Sequence, residues 1–167
     1  IAGLYASNEF QVTEKLKSIL GVRVEQYNHF YTGADQQFAS TNGQDGRFFD
    51  DEEVLNTFNV FPTANLIYNL KDNQNLRVSY SRTVARPSFK EKSNAQIADP
   101  ITNTTFIGNI DLIETDINNF DLRWESYQDR GQTVALSVFY KQFSNPIELI
   151  AFAEATDNIR PENVGDA

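Results

Sequence analysis

Apolar and polar side chains alternate along several segments of the chain. The clearest case is 119–127, in which three large apolar residues alternate with three charged ones: Phe120, Leu122, Trp124 and Asp121, Arg123, Glu125. Because successive side chains of a β-strand point to opposite faces, this pattern predicts a strand with one apolar face and one charged face.

Strands of this kind are predicted to form three hairpins, each closed by a short polar turn. The first joins 4–10 to 16–31 through 12–15, the second joins 64–70 to 76–81 through 71–74, and the third joins 119–127 to 133–141 through 128–132. The alternation is ambiguous in the first strand, so its apolar face cannot be assigned from the sequence. The pattern therefore predicts six strands that run up and down.

Long polar stretches separate the hairpins. They cover 32–53 and 85–116, and a further one starts near Ala153. Short and long connections therefore alternate, as they do in transmembrane barrels, whereas β-sandwiches rarely segregate them so regularly. We predict an all-β fold: an antiparallel up-and-down meander of about six long strands that forms part of the wall of a transmembrane β-barrel.

The composition agrees with strands and narrows the functional classes. Aromatic residues make up 13% of the chain, and Met and Cys are absent, which favours strands over helices. A formal net charge of -9 argues against nucleic-acid binding, which needs Lys and Arg to neutralise phosphates. No apolar run reaches the roughly 18 residues of a membrane-spanning helix. Because no signal peptide is visible and Ile1 opens into strand-like sequence, we expect a segment of a longer protein.

The charged residues that could bind a ligand or take part in catalysis lie on the polar face of the predicted strands. If the apolar face contacts lipid, the charged residues on the other face point into the barrel lumen: Arg23, Glu25, Arg77, Asp121, Arg123 and Glu125. His29 is the only histidine, and the acidic run 50–53 lacks the ligand spacing of a calcium loop. We therefore predict no catalytic residue, no metal site, no cofactor and no enzymatic activity.

Five ordered blocks carry a resemblance to a known family. They are Leu76–Phe89, Gly108–Leu112, Ile117–Glu125, Phe139–Lys141 and Asn145–Glu148. Together they resemble the TonB-dependent outer-membrane receptors, especially those of the Bacteroidetes type, over nearly the whole chain. The resemblance assigns structural roles to six motif residues: Arg86, Pro87, Gly108, Asn109, Asn145 and Pro146.

The resemblance implies a barrel of about 22 strands with a plugged lumen. Residues 1–167 would then be a partial receptor barrel domain that lacks the plug and the remaining strands. The resemblance also implies that the protein lies in the bacterial outer membrane and contacts its lipid. It further implies a TonB–ExbB–ExbD-type partner that acts through the plug. The implied function is energy-coupled uptake of a scarce nutrient: an iron chelate, cobalamin, a glycan or a peptide.

Two other interpretations remain open at this point. In a soluble β-sandwich ligand-binding module, the two faces of each strand would contact core and solvent instead of lipid and lumen. An outer-membrane enzyme on a smaller barrel would need a nucleophile and a base on inward or rim positions. The five blocks favour the receptor over both.

Overall fold

The computed structural model describes residues 1–35, 40–43, 45–128, 131–153 and 155–167. The strands are β1 Ala2–Thr13, β2 Leu16–Ala34, β3 Phe48–Lys71, β4 Gln74–Ala85, β5 Gln96–Asp99, β6 Thr104–Ile107, β7 Thr115–Tyr127, β8 Thr133–Ser144, β9 Ile147–Phe152 and β10 Ala155–Asn163. The all-β prediction is therefore confirmed. No helix in these ranges is long and apolar enough to cross a membrane.

Six long strands form one sheet in the order β1-β2-β3-β4-β7-β8. This is the predicted meander. The turn between β1 and β2 occupies Glu14 and Lys15, and the turn between β3 and β4 occupies Asp72 and Asn73, as the sequence predicts. The third predicted turn includes Asp129 and Arg130, which lie outside the described residues.

The chain divides into two compact units, of which the first comprises Ile1–Gln26, Phe58–Thr83 and Asp116–Phe143. The pairing register of the strands shows on which face of the sheet each side chain of this unit lies. Leu4 pairs with Val24, so β1 contributes Leu4 to the apolar face, which the sequence left ambiguous. On the same grounds Leu66 pairs with Val78 on the apolar face, while the next pair, formed by Asn65 and Ser79, is polar.

The apolar face of this unit is exposed. Leu122, Leu136 and Val138 leave 46%, 65% and 60% of their surface uncovered. An aromatic row continues the same face, with ring centroids 5.0 Å apart between Tyr80 and Phe120 and 6.3 Å apart between Phe120 and Tyr140. Soluble proteins rarely expose apolar patches of this extent. In a β-sandwich, the second sheet would cover these side chains. Their exposure therefore favours a surface that contacts lipid.

The second unit comprises Tyr27–Thr57, Val84–Thr115 and Ser144–Ala167. It contains a four-stranded sheet in the order β5-β6-β10-β9, which the sequence does not predict. In it β10 runs parallel to β6, with Ile159 opposite Phe106, and antiparallel to β9, with Arg160 opposite Ile150. Strands of four residues are too short to show alternation, so 85–116 looks like an uninterrupted loop.

The connection between β2 and β3 is shorter than predicted. The sequence assigns 32–53 to a loop, whereas β2 continues to Ala34 and β3 begins at Phe48. Asp51, within β3, has a φ of 49°, and the four consecutive acidic residues of 50–53 break the alternation that would indicate a strand. The core of the second unit includes four buried apolar side chains: Phe49, Leu55, Phe106 and Leu112.

Candidate functional site

Glu125 organises the polar face of the first unit. Its Oε2 lies 2.9 Å from Arg77 Nε on the neighbouring strand β4, and its Oε1 lies 2.8 Å from Arg123 Nε. The Tyr127 hydroxyl also donates to Oε2 over 3.0 Å. Although both arginines are about half exposed, only 9% of the Glu125 side chain is exposed. One carboxylate therefore joins two strands and pairs with two guanidinium groups.

The other predicted polar-face residues are Arg23, Glu25 and Asp121. Arg23 and Glu25 form an ion pair within β2, in which only 6% of the Glu25 side chain is exposed. Asp121 is exposed on β7. A further ion pair, which the sequence analysis missed, joins Arg82 Nη2 to Asp116 Oδ1 over 2.6 Å. This ion pair is hard to predict from the sequence, because the two residues are 34 positions apart.

Replacing Glu125 by glutamine should lower the temperature at which the full-length receptor loses its folded, fast-migrating band on gel electrophoresis. The change keeps the side-chain shape but leaves two neighbouring guanidinium groups without their shared carboxylate. Glu9→Gln is the matched control, because Glu9 pairs with Lys17 at an exposed position where an ion pair contributes little. An equal shift in both variants would contradict a special role for Glu125.

Arg86 joins several segments of the second unit. Its Nε donates to Glu114 Oε1 over 2.7 Å, and its guanidinium lies 4.6 Å from the centre of the Tyr27 ring. Thr57 donates to the same Glu114 oxygen over 2.8 Å. Pro87 follows two residues after β4 ends at Ala85, where its missing N–H is compatible with the end of strand pairing.

Gly108 and Asn109 close the long connection between β4 and β7. Gly108 N donates to Ala95 O over 3.0 Å, and Asn109 N donates to Glu91 O over 2.7 Å. The Asn109 side chain donates to Pro161 O over 3.0 Å, which ties this connection to β10. Both motif residues thus make backbone contacts that shape the connection.

Asn145 and Pro146 lie between β8 and β9. Asn145 has a φ of 55°, a conformation that asparagine tolerates better than most residues. Its carbonyl accepts hydrogen bonds from Thr115 over 3.0 Å and from Asn163 over 2.8 Å. Pro146 O accepts from Val164 N over 2.9 Å. The two residues lie where the chain leaves one sheet and enters the other.

Lys92 is a residue that sequence reasoning missed. It leaves only 1% of its surface exposed, and its Nζ donates to Ile110 O over 2.5 Å and to Leu112 O over 2.6 Å. Burial lowers the pKa of this ammonium group, while the Asp111 carboxylate acts in the opposite direction. A lysine in a polar stretch gives no sequence signal of burial, because lysine is usually exposed.

The acidic run 50–53 and His29 have local partners. Glu52 pairs with Arg47, and Glu53 Oε2 accepts a hydrogen bond from Asn28 over 2.7 Å. The His29 ring packs edge-to-face on Phe89 with 4.9 Å between centroids. In the part of the chain that the structure describes, no group of three or more His, Cys, Asp and Glu side chains is placed to hold a metal ion.

Comparison with known proteins gives the family. The profile of the family described as TonB dependent receptor-like, beta-barrel, matches residues 1–167. No curated protein matches the chain. Three solved structures are similar over nearly all of it: the siderophore receptor PirA from Pseudomonas aeruginosa, a double mutant of the Serratia marcescens hemophore receptor HasR in complex with HasA and heme, and the ferric-catecholate import receptor Fiu from Escherichia coli.

The match to PirA has a TM-score of 0.70 at 15% identity and covers 99% of this chain and 28% of that one. The match to HasR has a TM-score of 0.71 at 12% identity and covers 99% of this chain and 29% of that one. The match to Fiu has a TM-score of 0.59 at 16% identity and covers 98% of this chain and 23% of that one. The chain thus spans less than a third of the length of these structures, which show the fold.

TonB-dependent receptors are transport receptors that bind nutrients, and they are not enzymes. They reside in the outer membrane of Gram-negative bacteria. With a family match over its full length and a meander like that of the solved receptors, the chain belongs to the TonB-dependent receptor family, as a segment of the β-barrel of an outer-membrane receptor.

Proposed function

We propose that the receptor containing this chain takes up a scarce nutrient across the outer membrane by an energy-coupled conformational mechanism. The candidates are an iron chelate, cobalamin, a glycan or a peptide. The main support is the meander, which has a continuous exposed apolar face and an ion-paired polar face. A barrel wall in lipid requires that combination. Residues 1–167 supply wall and loops, while the plug and the remaining strands belong to the rest of the receptor.

The polar face is proposed to line the lumen. It carries the six charged residues identified from the sequence: Arg23, Glu25, Arg77, Asp121, Arg123 and Glu125. Strand register supports this assignment, because Arg23 lies opposite Tyr5, while its neighbours Val22 and Val24 face the other side. Most of these charges are paired with one another, which suits a solvated wall that contacts the plug better than a site that recognises a ligand.

The motif residues are proposed to have structural roles. The contacts of Arg86, Gly108, Asn109 and Asn145 support this, since each joins segments that lie far apart in sequence. Energy is proposed to come from a TonB–ExbB–ExbD-type complex that acts on the plug. We also propose that the receptor has no enzymatic activity, which the solitary, aromatic-packed His29 supports.

Uptake tests this function directly. Cells with the intact receptor should accumulate at least one member of a radiolabelled panel of ferric siderophores, cyanocobalamin, oligosaccharides and peptides. The accumulation should disappear when either the receptor or TonB is deleted, because energy coupling requires both. Uptake of a small porin substrate is the control and should stay constant. Accumulation that depends on the receptor but persists without TonB would overturn energy coupling.

A further inference from the structure

His29 is a buried imidazole near the end of β2. Strand alternation places it on the same face as Arg23 and Glu25. Only 4% of its surface is exposed, and its Nδ1 atom is buried without a hydrogen-bond partner among the described residues. Buried polar atoms in folded proteins nearly always have such a partner. The site therefore suits a neutral imidazole better than a charged one, in which both ring nitrogens must donate.

This part of β2 lies beyond the stretch that faces lipid. The outer positions of β2 are apolar as far as Val24 and then change to Gln26 and Asn28. Asn28 donates to Glu53 Oε2 over 2.7 Å, which places a carboxylate at this level. Because a charged group that faces hydrocarbon is disfavoured, this level belongs to the aqueous side of the membrane. His29 can therefore respond to the pH of the surrounding water.

The connection between β4 and β7 packs against the imidazole. The Phe89 ring stands edge-to-face on His29 with 4.9 Å between centroids, while 77% of Phe89 remains exposed. Three positions later, the buried Lys92 ammonium group donates to Ile110 O over 2.5 Å and to Leu112 O over 2.6 Å. One ring therefore joins β2 to this connection, and one ammonium group joins the two ends of the connection to each other.

Two cations lie near the imidazole. Burial lowers the pKa of His29, and the positive charge of Lys92 lowers it further. Arg86 is the second cation, since its guanidinium lies 4.6 Å from the centre of the Tyr27 ring, which is itself 6.3 Å from the His29 ring. Lys90 points elsewhere, because its Nζ lies 4.2 Å from the centre of the Phe106 ring.

The carboxylates of the same segments have other partners. Glu114 accepts from Arg86 over 2.7 Å, and Glu91 accepts from Ser88 N over 2.7 Å. Asp111 acts on Lys92, whose pKa it raises against the effect of burial. Glu53, on β3, is bound to Asn28 on the opposite face of the sheet. A proton on His29 would therefore add a third buried positive charge next to carboxylates that are already engaged.

We propose that His29 is an acid-sensitive latch, which holds the connection 86–114 against β2 while its imidazole is neutral and releases it when the imidazole is protonated. Opening the Phe89 contact lets water reach the charged ring. With the connection open, His29 takes up a proton near the ordinary histidine pKa of about 6.5, whereas the closed form does so only at lower pH. Closure is therefore fully stable above about pH 6.5 and weakens as the pH falls below that value.

Limited proteolysis of the full-length receptor in detergent, at about pH 7.5 and about pH 5.5, tests the latch. Mass spectrometry locates the cuts, and an unstructured peptide corrects for the pH dependence of the protease. Cleavage within 86–114 should be about three-fold faster or more at the lower pH, because cleavage follows the population of the open form. Ordinary carboxylates remain ionised over this range, so histidine is the side chain that titrates.

Two variants remove the titrating group. His29→Phe keeps a ring against Phe89 but takes up no proton, so its cleavage rate should be the same at both pH values. His29→Gln is a second uncharged variant, and the ratio of the two rates remains informative even if a variant is looser at both. Lys92→Met should reduce the acid effect, since it removes the charge that opposes protonation. Lys90→Met is the matched control from the same segment and should keep the full acid effect.

Several results would overturn the latch: no acceleration in the unaltered receptor, the same acceleration in both His29 variants, or new cuts that lie only outside 86–114. Loss of the folded band on gel electrophoresis at the lower pH would also overturn it, because the cuts would then report unfolding of the whole barrel. The latch does not depend on which nutrient is taken up. TonB-dependent uptake at neutral pH therefore tests the proposed function separately.

Discussion

Replacing Gly108 by alanine should disrupt the segment that joins β4 to β7 while leaving the barrel strands assembled. A Cβ at this position would clash with Ser93 O and would lie only 2.9 Å from Ser93 Oγ and 3.0 Å from Lys90 O. Two of these three atoms are backbone carbonyl oxygens, which cannot move without disrupting the segment that joins β4 to β7. We expect a local cost of about 3 kcal/mol, at the upper end of the range for overpacking.

The measurement is limited proteolysis of the full-length receptor on intact cells. Gly108→Ala should expose new cleavage sites within 86–114, while the heat-modifiable band of the barrel persists. Gly165→Ala is the matched control, because no atom lies within 4 Å of the added Cβ. If Gly108→Ala resists protease as well as Gly165→Ala does, close backbone packing at Gly108 is not what orders this connection.

Val78→Arg should destabilise the barrel far more than Ser79→Arg, although the two positions are adjacent. Val78 lies opposite Leu66 on the apolar face in the middle of β4, whereas Ser79 lies opposite Asn65 on the polar face. An arginine that faces lipid near the bilayer midplane costs about 2–4 kcal/mol, whereas a lumen position keeps the charge in water. The difference between the two variants therefore tests which face meets the membrane.

Denaturant titration of the full-length receptor folded into lipid vesicles measures this difference. We expect a lower free energy of unfolding for Val78→Arg and a value near that of the unaltered receptor for Ser79→Arg. Equal losses would mean that both faces are packed against protein, as in a sandwich. A larger loss for Ser79→Arg would reverse the proposed orientation of the sheet.

Local sequence accounts for the meander. The alternation in 119–127 reappears as β7, and the short turns at Glu14–Lys15 and Asp72–Asn73 lie where the polar residues predict them. These features need only neighbouring residues, because strand alternation and tight turns are determined within a few positions of the chain. The family resemblance, carried by short ordered blocks, was likewise readable without coordinates and is confirmed.

The partners of Glu125 and Arg86 required the tertiary structure. Arg77 and Glu125 meet across β4 and β7, which are separated by a connection of almost thirty residues that contains two further strands. Nothing local determines the register of strands joined in this way. Glu114, which binds Arg86, looked like one of many loop carboxylates and is instead only 8% exposed.

By itself, the sequence determined that this protein is built from long strands with one apolar and one polar face, and that consecutive strands form hairpins. It also determined the resemblance to an outer-membrane receptor. These features can be read from the sequence because side-chain alternation and turn chemistry are local. Only the tertiary structure decided that two polar stretches form a second sheet, that Lys92 is buried on backbone carbonyls, and that His29 is buried against Phe89. These features depend on contacts between residues far apart in the chain, such as the parallel pairing of β6 with β10, and the chemistry of each residue alone does not specify such contacts.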